Sequence, residues 1–308
     1  MFNSLESKYK NLIAIDAGDL LFKVPNPSPA AREQAERKMT LLINAYNEFN
    51  YNALNVGMND LALGVDFLKK YESQANFPFI SANIIDSTGS LVFQPFVTIN
   101  QNNSKIGVVG VTTGNTLAET VAFKNVLRSA NDVESKIRGD VDYLILLASV
   151  DGPAAKQLEE NAKGYDLIVR SHTNYLSRTP NQSPDGYYLQ TGSQGKYMLV
   201  VNVHWDRSVE GRPADVTREL QQLQLTEERL ARMREDAGDQ SLEEAYADSK
   251  ATLNFIHRMQ DQRQKLNAQL DSTKSYIAYE MHLLGNNYQS NEKWEQKVQE
   301  FVQQTSQQ

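Results

Sequence analysis

The stretch Asn55–Gly64, NVGMNDLALG, follows an apolar run and breaks it abruptly at a glycine. Before it, "YNALNVG" (51–57) reads as a short buried strand; after it, "DLALGVDFLKKYES" (60–73) carries the spacing of a helix. A strand–loop–helix junction of this kind is where open α/β sheets hold their ligands. At the centre of the loop, however, stands a methionine, Met58.

Outward from that loop the same alternation recurs. "NLIAIDAG" (11–18) is a continuous apolar run stopped by Asp and Gly, a buried strand. Residues 29–50 place Met39, Leu42, Ile43, Tyr46 and Phe49 three and four apart, one face of an amphipathic helix. Further strands are expected at 77–85, 96–100, 104–113, 141–149, 165–171, 187–193 and 196–206, with helices at about 131–138 and 153–163. Apolar strands separated by helices imply an α/β domain whose sheet is covered on both faces.

Composition narrows the function. The 308 residues suffice for one or two domains, and 40% hydrophobic with 22% charged residues is globular. A net charge of -7 with no basic stripe excludes a nucleic-acid binder, because nothing would offset phosphate repulsion. Zero cysteines exclude disulfides, thiolate metal sites and Cys nucleophiles. No run approaches the ~20 apolar residues of a transmembrane helix. "MFNSLESKYKNLIAID" (1–16) lacks the charged and apolar regions of a signal peptide. The N-terminus is therefore either a native start or one that follows a missing leader and first strand.

From Val216 the texture changes. Leu220, Leu223, Leu230 and Met233, then Ile256, Met259, Leu266 and Leu270, follow a coiled-coil-like spacing among charged and Gln-rich positions. Gly238 ends the first helix, and Ser241 with Glu244 forms a capping-box signature for the next. Two helices with a short link predict an antiparallel hairpin over 216–272. "SYIAYEMHLLG" (275–285) returns to period two, a strand, and "NEKWEQKVQEFVQQ" (291–304) is a terminal helix. The expected organisation is one α/β domain, 1–215 plus 273–308, with the hairpin inserted between two strands of one sheet. A long exposed hairpin is costly to order and is expected to present a surface to a protein partner or to a second copy.

Four strand-end loops hold polar residues that could form a site: Asp16 and Asp19; Met58, Asn59 and Asp60; Ser149 and Asp151; and Ser171, His172, Thr173 and Asn174. Taken singly, such residues usually cap helices and turn loops. His204 is expected at a surface or edge, His257 and His282 have no neighbour that suggests a role, and Trp294 reads as a docking anchor. "KVPNPSPAA" (23–31) reads as a Pro-rich turn setting the next helix.

Taken together, these segments resemble the calcineurin-like metallophosphoesterases, especially their 5′-nucleotidase (UshA-like) branch. "NLIAIDAGDLLF" (11–22) is similar to that family's strand and Gly-Asp turn, and residues 52–84 align with its Gly-Asn-His-Glu, Phe-Pro and Ser-Ala-Asn segment. "KIGVVGVTT", "DYLILLASVDGPAAKQLEENAKGYDLIVRSHTN" and "LQTGSQGKYMLVVNV" continue the match in order, so the resemblance covers about 11–206. It implies a β-sandwich flanked by helices and a two-metal centre in which bridged divalent ions activate water. Asp19 matches the bridging Asp. Met58 stands at the ligand Asn, Asn59 at the catalytic His, and Asp60 at the following acid. Ser149 stands at a His ligand, while Ser171–Asn174 occupy the Gly-His-x-His, so that His172 is kept and Asn174 replaces a ligand. No counterpart of the family's Asp-x-His motif, nor of the adenosine-binding C-terminal domain, is present in the sequence. A neutral thioether and a hydroxyl are weak ligands for Mn²⁺, Zn²⁺ or Mg²⁺. The resemblance with these substitutions implies a non-catalytic protein with no cofactor. The alternative is a metal-dependent phosphomonoesterase with an altered or incomplete site. It also implies a periplasmic or exported setting.

Overall fold

The computed structural model describes residues 2–24, 26–114, 121–193, 195–206, 208–209, 211–285 and 291–306. It divides into two compact units, residues 1–198 with 283–308, and residues 199–282.

The first unit opens with a helix α1 (Phe2–Lys8), which no periodicity announces, and a strand β1 (Ala14–Asp16), shorter than the apolar run around it. Helix α2 (Pro29–Glu48) starts where Ser28 accepts a hydrogen bond from the Ala31 amide and Pro29 supplies a preset φ. Strand β2 (Tyr51–Asn55), a 3-10 turn (Asn59–Leu63), helix α3 (Val65–Glu72) and strand β3 (Phe79–Ile80) follow. The helix expected directly after the 55–64 loop is therefore split. Gly64, at φ 82, separates the two pieces in a conformation that disfavours a side chain. β1, β2 and β3 form a three-stranded parallel sheet. Met39 and Ile43 of α2, and Leu68 and Tyr71 of α3, are buried with Leu54 and Phe79 of that sheet.

Strands β4 (Ile84–Ile85), β5 (Phe96–Gln101), β6 (Ser104–Thr112) and β7 (Ala122–Phe123) come next, then α4 (Val126–Ile137), capped by Asn125. Strand β8 (Tyr143–Ser149), α5 (Gly152–Asn161), β9 (Leu167–Ser171), β10 (Asn181–Gln182) and β11 (Tyr187–Gln190) complete a six-stranded sheet in the order β10-β11-β9-β8-β6-β5. Its four central strands are parallel and its two edges antiparallel. Every residue of β8 is buried, which explains its unbroken apolar sequence. Val126, Ala130 and Val133 of α4 and Leu158 of α5 close the core over Leu144, Leu146 and Ile168. The Thr112 hydroxyl donates to the Val56 carbonyl and the Asn55 side-chain amide donates to Ala17 and Val111 carbonyls at 3.0 and 3.1 Å, so the two sheets are tied at their strand ends. Within this unit, helix α9 (Glu292–Ser306) docks Trp294 on the end of α2. Its indole donates to Glu48 at 3.1 Å and its ring lies 6.0 Å from Phe49.

The second unit contains strands β12 (Tyr197–His204), β13 (Ala214–Asp215) and β14 (Tyr276–Leu283), in the order β12-β14-β13. Between β13 and β14 run α6 (Thr217–Ala237), α7 (Leu242–Ala245) and α8 (Lys250–Ser272). Gly238, at φ 61, follows α6, and Ser241 with Glu244 completes the capping box, but that box opens the one-turn α7 rather than α8. A separate cap, Ser249, starts α8. Leu230 of α6, Leu242 of α7 and Ile256 and Met259 of α8 form one buried cluster. The change of composition at Val216 thus falls inside this unit, because the helices share it with the strands that flank them. No described helix is long and apolar enough to cross a membrane.

Candidate functional site

The C-terminal ends of β1, β2, β8 and β9 converge, and Asp19 stands at the point of convergence. It holds φ 61, a left-handed conformation uncommon for a residue with a side chain, and its side chain is 10% exposed. Its Oδ1 accepts the Asn59 amide at 2.9 Å, and its Oδ2 accepts the Ser149 hydroxyl at 2.9 Å. The same Oδ2 lies 2.5 Å from Nδ1 of His172. A carboxylate offers about four lone-pair directions, and three protein groups already converge on this one.

Asp60 fixes the loop that brings these groups together. Its Oδ1 accepts the Leu21 amide, and its Oδ2 accepts the amides of Asp19 and Gly57, each at 2.9 Å. Burial, with Asp19's negative charge added, pushes the Asp60 carboxyl up to about 7, while the Leu21 and Gly57 amides oppose the shift. A Cβ on Gly57 would sit 2.4 Å from both the amide and Oδ1 of Asp19, so only glycine lets the two loops approach.

His172 is also left-handed, at φ 56, and a quarter of its side chain is exposed. The hydrogen bond to Asp19 raises its pKa above the usual imidazole value, against the opposing effect of burial. Its Nε2 lies 3.9 Å from the carboxylate of Asp151, the residue that precedes α5. Ser171 turns away and donates to the Ala17 carbonyl at 2.7 Å. Thr173 donates to Gln190 at 3.2 Å.

The two residues at the centre of the 55–64 loop differ. Met58 is half-buried at the start of the 3-10 turn. Asn59 is 3% exposed, and its side-chain oxygen is buried without a hydrogen-bond partner among the described residues. Asn174 is exposed and lies outside the hydrogen-bonded cluster. Of the sequence candidates, then, Asp19, Asn59, Asp60, Ser149 and His172 are joined by direct hydrogen bonds, and Asp151 stands at their margin. Asp16 belongs to a neighbouring network instead, accepting from the Tyr46 hydroxyl at 2.6 Å and the Gly18 amide at 2.8 Å. Sequence reasoning passed over Asn55 and Tyr46. Asn55 could have been noticed as a polar side chain inside an apolar strand, whereas Tyr46 has the spacing of any core aromatic. His204 is exposed on β12, where its ring stacks on Tyr276.

This donor set does not suit a dinuclear metal centre. Among the described residues no three His, Asp or Glu side chains converge as metal ligands. The remaining candidates are a thioether, a hydroxyl and an amide, and only the last is a good ligand for a hard cation. The imidazole partner of Asp19 in this arrangement is His172.

The helix-flanked pair of sheets defines the molecule as having the calcineurin-like phosphoesterase fold. The structure of the calcineurin-like phosphoesterase YfkN from Bacillus subtilis superposes with a TM-score of 0.66 over 98% of this chain and 86% of that one, at 16% identity. A 5′-nucleotidase precursor from Thermus thermophilus gives 0.58 over 68% of this chain and 45% of its own, at 22% identity. In sequence, the 5′-nucleotidase of Diplobatis ommata is 25% identical over 238 residues, covering 66% of this chain and 39% of that protein. No family model matches the chain. Its homologues and structural neighbours are 5′-nucleotidases and calcineurin-like phosphoesterases, and the chain spans about two fifths of that 5′-nucleotidase's length.

Proposed function

We propose that this chain is a non-catalytic member of the 5′-nucleotidase-like phosphoesterases, an interaction protein that works through the helical arm inserted at 216–272. The observation that supports the first half is the occupation of Asp19. Its two carboxylate oxygens are engaged by the Asn59 amide, the Ser149 hydroxyl and the His172 imidazole, so a cation would have to displace protein donors to bind there. The His172 imidazole, 2.5 Å away, occupies one side of the carboxylate where a cation would otherwise sit. Met58 offers neither a proton nor a hydrogen bond to a phosphoryl oxygen, and the Asn59 amide cannot act there as a general acid. The arm supports the other half, since three helices with their own small core exceed what a strand connection requires. The branch resemblance suggests an exported or periplasmic setting.

The competing reading is a metal-dependent phosphomonoesterase with a reduced site, favoured by the 5′-nucleotidases among its relatives. Hydrolysis of p-nitrophenyl phosphate and of AMP, with Mn²⁺, Zn²⁺ or Mg²⁺ added, separates the two. We expect no turnover above the metal-only control. Metal-dependent turnover that disappears in Asp19→Ala would overturn the non-catalytic reading.

A further inference from the structure

We infer that the arm's partner is a second copy of this chain, bound antiparallel through charge. The inference rests on reading 216–272 as an association arm and is independent of whether the strand-end cluster is catalytic.

The buried side of α6 is set by Thr226 and Leu230. At 100° per residue, one flank of the helix, about 80–160° round from that side, carries Arg218, Gln221, Leu225, Arg229 and Arg232, all exposed, with Leu225 54% exposed at their centre and Glu228 bordering them directly opposite the buried side. Arg232 has a carboxylate, Glu228, no closer than 3.9 Å, an ion pair that contributes little on an exposed helix. Beyond this basic face the sign reverses. From Glu235 to Asp248 there are six acids, Glu235, Asp236, Asp239, Glu243, Glu244 and Asp248, all exposed, and no Lys or Arg.

One arm therefore carries a basic stripe around Leu225 on one flank of α6, and an acidic end. Within a chain these regions lie at successive positions along the same arm and cannot cover one another. A two-fold axis crossing the arm between them places each acidic end on the other copy's Arg218–Arg229 face, so both contacts form at once and the interface closes as a dimer. A parallel pairing would stack like on like. Such complementarity sets orientation and partner choice and is screened by salt, with a Debye length of about 8 Å at physiological ionic strength.

Sedimentation velocity on the full chain tests this. The wild type should be dimeric at low salt, and its dissociation constant should rise as salt is added. Arg229→Glu with Arg232→Glu should raise the dissociation constant by about tenfold or more, as should Asp239→Lys with Glu243→Lys. An equimolar mixture of the two variants should recover the dimer, since each reversed face then meets a reversed end. Circular dichroism checks that the variants fold, and the salt dependence of the wild type decides the matter if they do not. A wild type that stays monomeric at low salt, or a dimer indifferent to salt and to both reversals, overturns the inference. The phosphatase assay is unaffected by either result, so failure here and failure of the non-catalytic reading are read separately.

Discussion

The imidazole Nδ1 of His172 sits 2.5 Å from Oδ2 of Asp19, and both residues reach this contact with left-handed backbone, φ 56 and 61. Two non-glycine residues in that region cost on the order of 1 kcal/mol each unless their surroundings hold them there. What holds Asp19 is its own amide on Asp60, together with the Asn59 and Ser149 donors on its carboxylate. The pair is thus the centre of a local hydrogen-bond network formed by Asn59, Asp60 and Ser149.

Removing that centre should cost folding stability. Asp19→Asn keeps the shape but replaces a charge-assisted acceptor with a neutral amide, and its NH2 group must face a donor. Hydrogen bonds to charged groups contribute about 1.5–3 kcal/mol each, so we expect a loss of about 2–3 kcal/mol in urea unfolding. A variant as stable as the wild type would show that the cluster is incidental to the fold.

The pH dependence follows from two groups with the same sign. His172 has a raised pKa, so its contribution is complete below the unfolded value of about 6.5 and is lost as pH rises through the folded value. Asp60, pushed up to about 7, also binds its proton more tightly in the folded state than in the unfolded one. Its contribution is present below about 4 and is lost as pH rises towards 7. Stability should therefore fall between mildly acidic and slightly alkaline pH. His172→Gln should flatten the upper part of that decline. A wild-type stability that rises across pH 6–8, after correction for net charge, would contradict the arrangement.

Metal should change little. A ligand that binds only the native state raises stability by RT ln(1 + [L]/Kd), about 2.7 kcal/mol at one hundred times Kd. With Asp19 already satisfied, Mn²⁺ or Zn²⁺ should leave the thermal midpoint where a chelator leaves it. A metal-induced rise in Tm that vanishes in His172→Gln would point to a real site.

Much of this was legible in the sequence because burial writes itself into periodicity. β8 is buried throughout and reads as an unbroken apolar run, and α2 buries one face, exposes the other and reads as a helix. The loop 55–64 was legible as a functional shape because Gly57 and Gly64 are required there, one by close approach to Asp19 and one by its positive φ. What sequence could not supply was the pairing across distance. Ser149 and Asp19 are 130 positions apart, and nothing in either segment states that a hydroxyl will meet a carboxylate. The two-step start of α8 was missed for a local reason, since Ser241 and Ser249 both offer caps and only packing of Leu242 decides between them.

Gly57→Ala tests the loop by addition rather than removal. Its Cβ would lie 2.4 Å from Asp19's amide and Oδ1, both fixed by hydrogen bonds, so the loops must part. Overpacking of this kind costs about 1–3 kcal/mol. The same change at Gly139, where nothing lies within 4 Å, should be nearly neutral and serves as the control.

The terminal helix offers a spectroscopic prediction. The chain has two tryptophans, and Trp294 is the one that fastens α9 to α2, through Glu48, Phe49 and the neighbouring Lys293–Glu48 ion pair at 2.5 Å. These contacts are half-exposed, so an aromatic pair of about 0.5–1.5 kcal/mol carries more of the docking than the surface ion pair does. Trp294→Phe should therefore keep α9 in place, and Glu48→Ala should weaken it only slightly. Trp294→Ala should release the helix, seen as faster amide exchange across 292–306 with little change at β8. If Trp294→Ala left exchange in α9 untouched while Glu48→Ala raised it, the ion pair would be the true anchor, and the ranking of the two interactions would be reversed.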